Sequence, residues 1–346
     1  MITKIKLIFA QFLIVSLIFV KIYTDSIYER LQGEDEGWSE KEEKCEKPKS
    51  LFFMKTHKTA SSTVQNLFFR YGLRHNLTIG VPKNGKQHHL LGYPAFFNEK
   101  MLQKTSTPVQ LIASHLRFSE DVKKVLPNST RITILRDPVE QFVSNFFFFH
   151  KIAPFKDLEE NLSGLEEFFE TPQKYYARQS WGQWMAKNSN FFDLGFRNDD
   201  MKRVEIEKKV NATMEFYDFI MISDYFDESL ILMKEKFCLD WEDVLVFAKN
   251  VGSRKRNDIS TALAEKIRSW NQADSTLYSQ ALQKFESDLH SFGISEMEKQ
   301  LQILRQKRGE EQKSCDEEKL QSEKCMFLEF SEHNFTTFIW NKNAQS

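Results

Sequence analysis

Four short apolar runs stand out along the chain, at residues 51–54, 109–113, 132–135 and 219–222. Each is short and continuous rather than helically spaced, which predicts strands buried in a sheet. Between them the apolar positions change period. Val64, Leu67, Phe68 and Tyr71 recur at i, i+3, i+4 and i+7 after the first run, and Val139, Phe142, Val143 and Phe146 form a second stripe after the third. Such stripes are the buried faces of helices. Strands alternating with helices predict an α/β fold, a central and mostly parallel sheet flanked by helices. Beyond about Met297 the chain turns strongly charged and helical until Lys313. A cysteine-bounded loop and an aromatic tail, residues 335–340, follow and are expected to pack back on the body.

One further apolar run has a different meaning. Residues 7–20 carry no charge, with Lys4 and Lys6 ahead of them. Counted from Ile5 to Tyr23, with Lys6 and Lys21 snorkelling at the edges, the run reaches about the 20 residues that cross a bilayer. Basic residues in front favour a cytosolic N-terminus, which predicts an uncleaved type II signal anchor; a cleaved signal peptide is the alternative. Both deliver the body to the secretory lumen. The expected organisation is a cytosolic tail at 1–6, an anchor at 7–23, a Glu- and Lys-rich stem at 24–49, a catalytic domain at 50–300, and a C-terminal charged helix and cysteine loop at 301–346.

Composition agrees with a lumenal body. Asn76, Asn128, Asn161, Asn211 and Asn334 each begin an N-x-Ser/Thr sequon. Cys45, Cys238, Cys315 and Cys325 are an even number, and in an oxidising compartment two disulfides are expected. Cys315 with Cys325 would close a local loop and leave Cys45 with Cys238, although the sequence permits three pairings. There is no C-x2-C spacing and no nearby paired histidine, so no metal is expected. Lys and Arg number 48 against 49 Asp and Glu. That balance gives no global reason to expect nucleic acid as a partner, and any anion must be held by local placement.

The candidate chemistry begins where the first strand ends. Lys55-Thr56-His57-Lys58-Thr59-Ala60-Ser61-Ser62-Thr63 leads from strand to helix. A hydroxyl-rich loop there can hold a phosphate on helix N-terminal amides, with Lys58 adding a full charge. The glycines of the nucleoside-triphosphate loop are absent. A blander alternative has Ser61, Ser62 and Thr63 simply capping a helix.

This stretch resembles the 5′-phosphosulfate loop of the galactose 3-O-sulfotransferases. Ser114-His115-Leu116-Arg117-Phe118, Leu135-Arg136-Asp137-Pro138, Phe192-Asp193-Leu194-Gly195-Phe196, Tyr225-Phe226-Asp227-Glu228-Ser229-Leu230 and Trp270-Asn271-Gln272-Ala273-Asp274 fit the same family in order. The resemblance runs from about residue 51 to 293. It implies a sulfotransferase or nucleotide-kinase-like fold and a donor, 3′-phosphoadenosine 5′-phosphosulfate. Its cradle would be Lys58, Thr59, Ala60, Ser61, Ser62 and Thr63, with Lys58 on the bridging oxygen. The implied product is a galactose sulfated at its 3-hydroxyl, on a glycolipid or glycoprotein glycan, made at the Golgi membrane.

Two more positions have a physical reading of their own. Asp137 suits an N-cap, Pro138 the first helical position, and Glu140 a capping box. Arg136 then sits at the strand end, where a guanidinium grips phosphate through two N–H bonds, and Ser144 shares the face of Asp137 and Glu140. In sulfotransferases an Arg and a Ser at this spacing bind the 3′-phosphate. His115, directly after the second run, is the candidate base, with His57, His88, His89 and His150 competing. Lys58 is the candidate electrophile, and the mechanism needs no metal. Arg254, Lys255 and Arg256 could close over the donor, and Trp181, Trp184 and Tyr176 could stack on a sugar, but solvated-loop and core roles are at least as natural. Two rival functions remain open: sulfation of another sugar, as in a glycosaminoglycan, or a lumenal binding protein without catalysis.

Overall fold

The structure, a computed structural model, describes residues 45–86, 88–152, 154–177, 181–247, 259–317 and 322–345. The cytosolic tail, the expected anchor and nearly all of the stem lie outside the described residues. Among the described residues no helix is long and apolar enough to cross a membrane.

Five strands build one sheet in the order β2-β3-β1-β4-β5. They are β1 (Leu51–Met54), β2 (Ile79–Gly80), β3 (Leu111–Ile112), β4 (Thr130–Leu135) and β5 (Phe219–Ile222). Every neighbouring pair is parallel, with Leu51 facing Leu111 on one side and Thr130 on the other, and Leu135 facing Ile222. All of β1 is buried, because helices cover both faces, and that is why its sequence is apolar without alternation. Two details differ from expectation. The second strand shrinks to Leu111–Ile112, and β2, a two-residue edge strand, was not foreseen. A pair this short makes no apolar run. It pairs because β3 presents an open edge.

The stripe after β1 becomes α1 (Ser61–Arg74), with Val64, Leu67, Phe68 and Tyr71 buried. The second becomes α2 (Pro138–Phe148), with Val139, Phe142 and Phe146 buried. Then come α3 (Ser189–Asp193), α4 (Phe226–Lys236), α5 (Gln272–Phe292), α6 (Ile294–Glu317), α7 (Glu323–Glu329) and α8 (Glu332–Asn343). The chain's 32 phenylalanines fill more than the sheet core. A separate aromatic cluster of Phe142, Phe146, Phe155, Phe168 and Phe169 stiffens the region beside α2.

The C-terminal segment makes several contacts with the body. Phe335 meets Phe69 of α1 with ring centroids 5.5 Å apart, Asn66 donates to the carbonyls of Phe327 and Phe330, and Trp340 donates to the Lys83 carbonyl. Helix α6 runs unbroken across residue 300, and its Met297, Leu301 and Leu304 belong to the main core. Both expected disulfides are present: Cys315–Cys325 joins α6 to α7, and Cys45–Cys238 ties the start of the body to the turn after α4.

Candidate active site

In a parallel sheet, ligand crevices form beyond the carboxyl ends of the strands, where the strand order reverses. Here β1 is that point, flanked by β3 and β4. A cavity of about 760 Å³ opens there, and each strand's outlet contributes to it. The loop after β1 brings residues 57–63, the segment after β2 brings His89, β3 leads to His115, β4 to Arg136, and β5 to Ser223 and Asp224. The residues expected from the sequence to form the donor cradle, the base and the electrophile (Lys58, Thr59, Ala60, Ser61, Ser62, Thr63, His115, Arg136 and Ser144) all line this one cavity.

The loop is held by its own hydroxyls. Thr56 donates to the Ile134 carbonyl of β4 (2.5 Å), Ser61 donates to the Thr56 carbonyl (2.6 Å), and Thr59 pairs with Thr56 (2.8 Å). Lys58 and Ala60 both adopt positive φ, 61° and 64°, a left-handed conformation that bends the chain into a concavity before the helix. The N-cap of α1 is Ala60, with no side-chain cap, so the blander alternative, in which Ser61, Ser62 and Thr63 cap the helix, is not what the structure contains. Thr59 and Ser61 face inward and serve the loop. Ser62 is exposed within the cavity, beside helix amides that have no intrahelical acceptor.

Two cations stand at the mouth. The Lys58 ammonium lies over the Phe148 ring, 3.7 Å from its centroid, and its pKa is lowered to about 8 by burial, then by Arg136 and Lys55. Arg136 is aimed by the Lys58 carbonyl (3.2 Å) and Glu140 (3.4 Å). Asp137 caps α2 as expected, accepting from Val139 and Glu140. The reciprocal half of the box is replaced, because the Asp137 amide donates to Asp224 at 2.9 Å. That bond stitches the ends of β4 and β5 together.

His115 does not stand alone. Its ring stacks on His57, centroids 4.4 Å apart and 25° between planes. Burial, followed by the charges of Lys55, His57 and His89, holds its pKa well below the usual imidazole value. His57 Nδ1 lies 2.9 Å from both carboxylate oxygens of Asp193, and the His57 amide donates to the same carboxylate at 2.8 Å. Tyr93 also donates to Asp193, at 2.9 Å. Asp193, wholly buried, is delivered by α3, which is clamped from α5. Asp274 accepts from the amides of Asn190 and Phe191, and the Asn271 side chain accepts from the Asn188 amide. Burial raises the Asp274 pKa to about 7 against those two backbone bonds.

Beneath the loop lies a buried ion pair that sequence reasoning missed. The wholly buried Lys55 donates to Ser62 Oγ (2.9 Å), Gln65 Oε1 (3.0 Å) and Glu332 Oε2 (2.6 Å). Lys55 and Asp193 stand within the motif stretches, so residue type alone hinted at them. Glu332 and Tyr93 carried no signal. Of the aromatics, Trp181 and Trp184 line the cavity, with Trp184 stacked on Phe192 (5.5 Å). Tyr176 instead packs on Trp270. Arg254, Lys255 and Arg256 lie outside the described residues.

Comparison with known proteins follows the same line. Residues 1–326 match the family model described as Galactose-3-O-sulfotransferase. The chain is similar to the galactosylceramide sulfotransferase of Bos taurus, 33% identical over 279 residues, which cover 78% of this chain and 65% of that protein. It is similar to the human galactosylceramide sulfotransferase at 33% over 269 residues, 75% of this chain and 62% of the relative. With the human galactose-3-O-sulfotransferase 3 it shares 33% over 273 residues, 77% and 63%. The matched part spans less than two thirds of these relatives' length.

Proposed function

We propose, from the premise that this chain belongs to the galactose-3-O-sulfotransferase family, that it transfers a sulfuryl group from 3′-phosphoadenosine 5′-phosphosulfate to the 3-hydroxyl of a galactose on a glycolipid or glycan. The observation that carries this is the single cavity in which Lys58, Arg136, Ser144 and His115 meet the N-terminus of α1. The donor supplies an activated sulfuryl group and leaves charge on its 5′-phosphate.

The residues fit such a molecule. The volume of about 760 Å³ suits a nucleotide with part of a sugar. The α1 amides and the Ser62 and Thr63 hydroxyls hold the phosphosulfate; Lys58, a compact ammonium, takes up the charge that develops there. Arg136 and Ser144 hold the 3′-phosphate. His115, neutral because burial depresses its pKa, accepts the proton of the acceptor hydroxyl, and its stacking on His57 fixes the ring plane. Trp181, Trp184 and Phe148 offer apolar faces against which a galactose ring can lie.

The membrane-anchored, lumenal placement in the Golgi is part of the same proposal. It is supported by two disulfides and by exposure of all five sequon asparagines. The deciding experiment incubates the full chain with labelled donor and a panel of β-galactosides, uronyl and hexosaminyl acceptors, and locates the sulfate by linkage analysis. Sulfate at galactose O3 is expected. Sulfation confined to uronyl or hexosaminyl acceptors overturns the acceptor assignment, and no transfer to any acceptor overturns the enzyme.

A further inference from the structure

The Lys55 ammonium has three N–H donors, and all three are occupied, by Ser62, Gln65 and Glu332. It has nothing left for a ligand. Burying an ammonium and its carboxylate partner costs several kcal/mol of lost hydration per ion, which their attraction offsets only in good geometry, so a lysine beneath the loop is a poor way to achieve packing alone. Its bond to Ser62 gives it another use. A hydroxyl that accepts from an ammonium turns its own proton away from that ammonium, and Ser62 is the exposed hydroxyl of the loop, open to the cavity. Glu332 favours the charged lysine: burial lowers the Lys55 pKa, and the carboxylate, bonded to the ammonium, opposes that shift. Glu332 stands 277 positions away, in the first turn of α8, beyond the 1–326 stretch that matches the family. That helix is anchored by Asn343 on the Ile79 carbonyl (3.0 Å) and by Phe335 on Phe69.

We infer that Lys55 and Glu332 are a positioning pair for the sulfuryl donor: Lys55, charge-balanced by Glu332, fixes the Ser62 hydroxyl as a hydrogen-bond donor toward the phosphosulfate, which makes the C-terminal helix part of the donor site. This rests on the loop being the donor cradle. The test is binding of the desulfated donor, 3′-phosphoadenosine 5′-phosphate, to the full chain by calorimetry, with donor and acceptor KM in parallel. Ser62→Ala, Lys55→Met and Glu332→Gln are each expected to weaken binding about ten- to a hundredfold, the worth of a hydrogen bond to a charged group, while acceptor KM stays within about twofold. Because Lys55 acts through Ser62, the Lys55→Met/Ser62→Ala double variant should bind no more weakly than the poorer single variant. General loosening of the fold would raise both KM values and give additive losses.

If Lys55→Met does not fold, the Ser62→Ala/Glu332→Gln pair carries the same non-additivity test. Wild-type binding with normal affinity in folded Lys55→Met or Glu332→Gln, or additive losses in the cycle, overturns the positioning pair and leaves the donor cradle standing. A wild-type chain that binds neither the donor nor its desulfated product removes both.

Discussion

At the scale of single residues, the proposed site divides into groups assigned to holding the donor and groups assigned to the transfer, and mutation should resolve them. Arg136→Ala removes the proposed bidentate phosphate contact, worth about 1.5–3 kcal/mol, so donor KM should rise tenfold or more. His115→Ala should leave donor binding unchanged and lower kcat by about 10²–10⁴; normal turnover in a folded His115→Ala protein would falsify the base assignment and pass the role to His57, whose ring Asp193 already orients. Lys58 predicts a pH dependence. Its pKa, lowered to about 8, means the ammonium is lost as pH rises through that value, so kcat/KM for the donor should fall on the alkaline side of about pH 8. Arg136→Ala removes a neighbouring cation and should move that limb to higher pH. A pH–rate profile of both proteins checks the direction. Ala60 offers a stability test. At φ 64° an alanine is held where glycine rests freely, so Ala60→Gly should stabilise the fold by up to about 1 kcal/mol in denaturant unfolding.

Among elements, the short helix α3 matters most relative to its length. Five residues cannot hold themselves in place, and α3 is fixed at its start by Asp274 of α5 and by Asn271, the residue that caps α5. Gly195 fixes its exit. Its φ is 87°, and a Cβ there would come within 2.5 Å of the Phe118 carbonyl oxygen. Gly195→Ala therefore forces the chain away from Phe118 and drags Asp193 from His57. We expect a loss of about 1–3 kcal/mol together with a fall in kcat larger than the change in donor KM. Unchanged kcat in a destabilised Gly195→Ala protein would separate α3 from the chemistry.

On the scale of the whole molecule, the two disulfides close loops of very different size, 193 and 10 residues in sequence separation. Chain-entropy arguments make the loss of Cys45–Cys238 costlier than the loss of Cys315–Cys325 by about 2–3 kcal/mol, measurable by denaturant unfolding of the two Cys→Ser pairs. The five exposed sequon asparagines predict a loss of mass on N-glycosidase treatment of protein made in animal cells, and soluble unglycosylated protein would refute the lumenal placement. Much of this was legible in the sequence. Four strands, the α1 and α2 stripes, the Asp137 cap and the loop around Lys58 follow from periods and spacings within a dozen residues, because local sterics and capping act over that range. The edge strand β2 was not legible, since two residues pair only when a neighbour offers an edge. Nor was the partner of Lys55, the orientation of His57 by Asp193, or the use of Asp224 in place of Glu140. Those bonds join residues 277, 136 and 87 positions apart. Which buried charge meets which is decided by how helices pack on the sheet, and that packing depends on the whole core rather than on any segment of it.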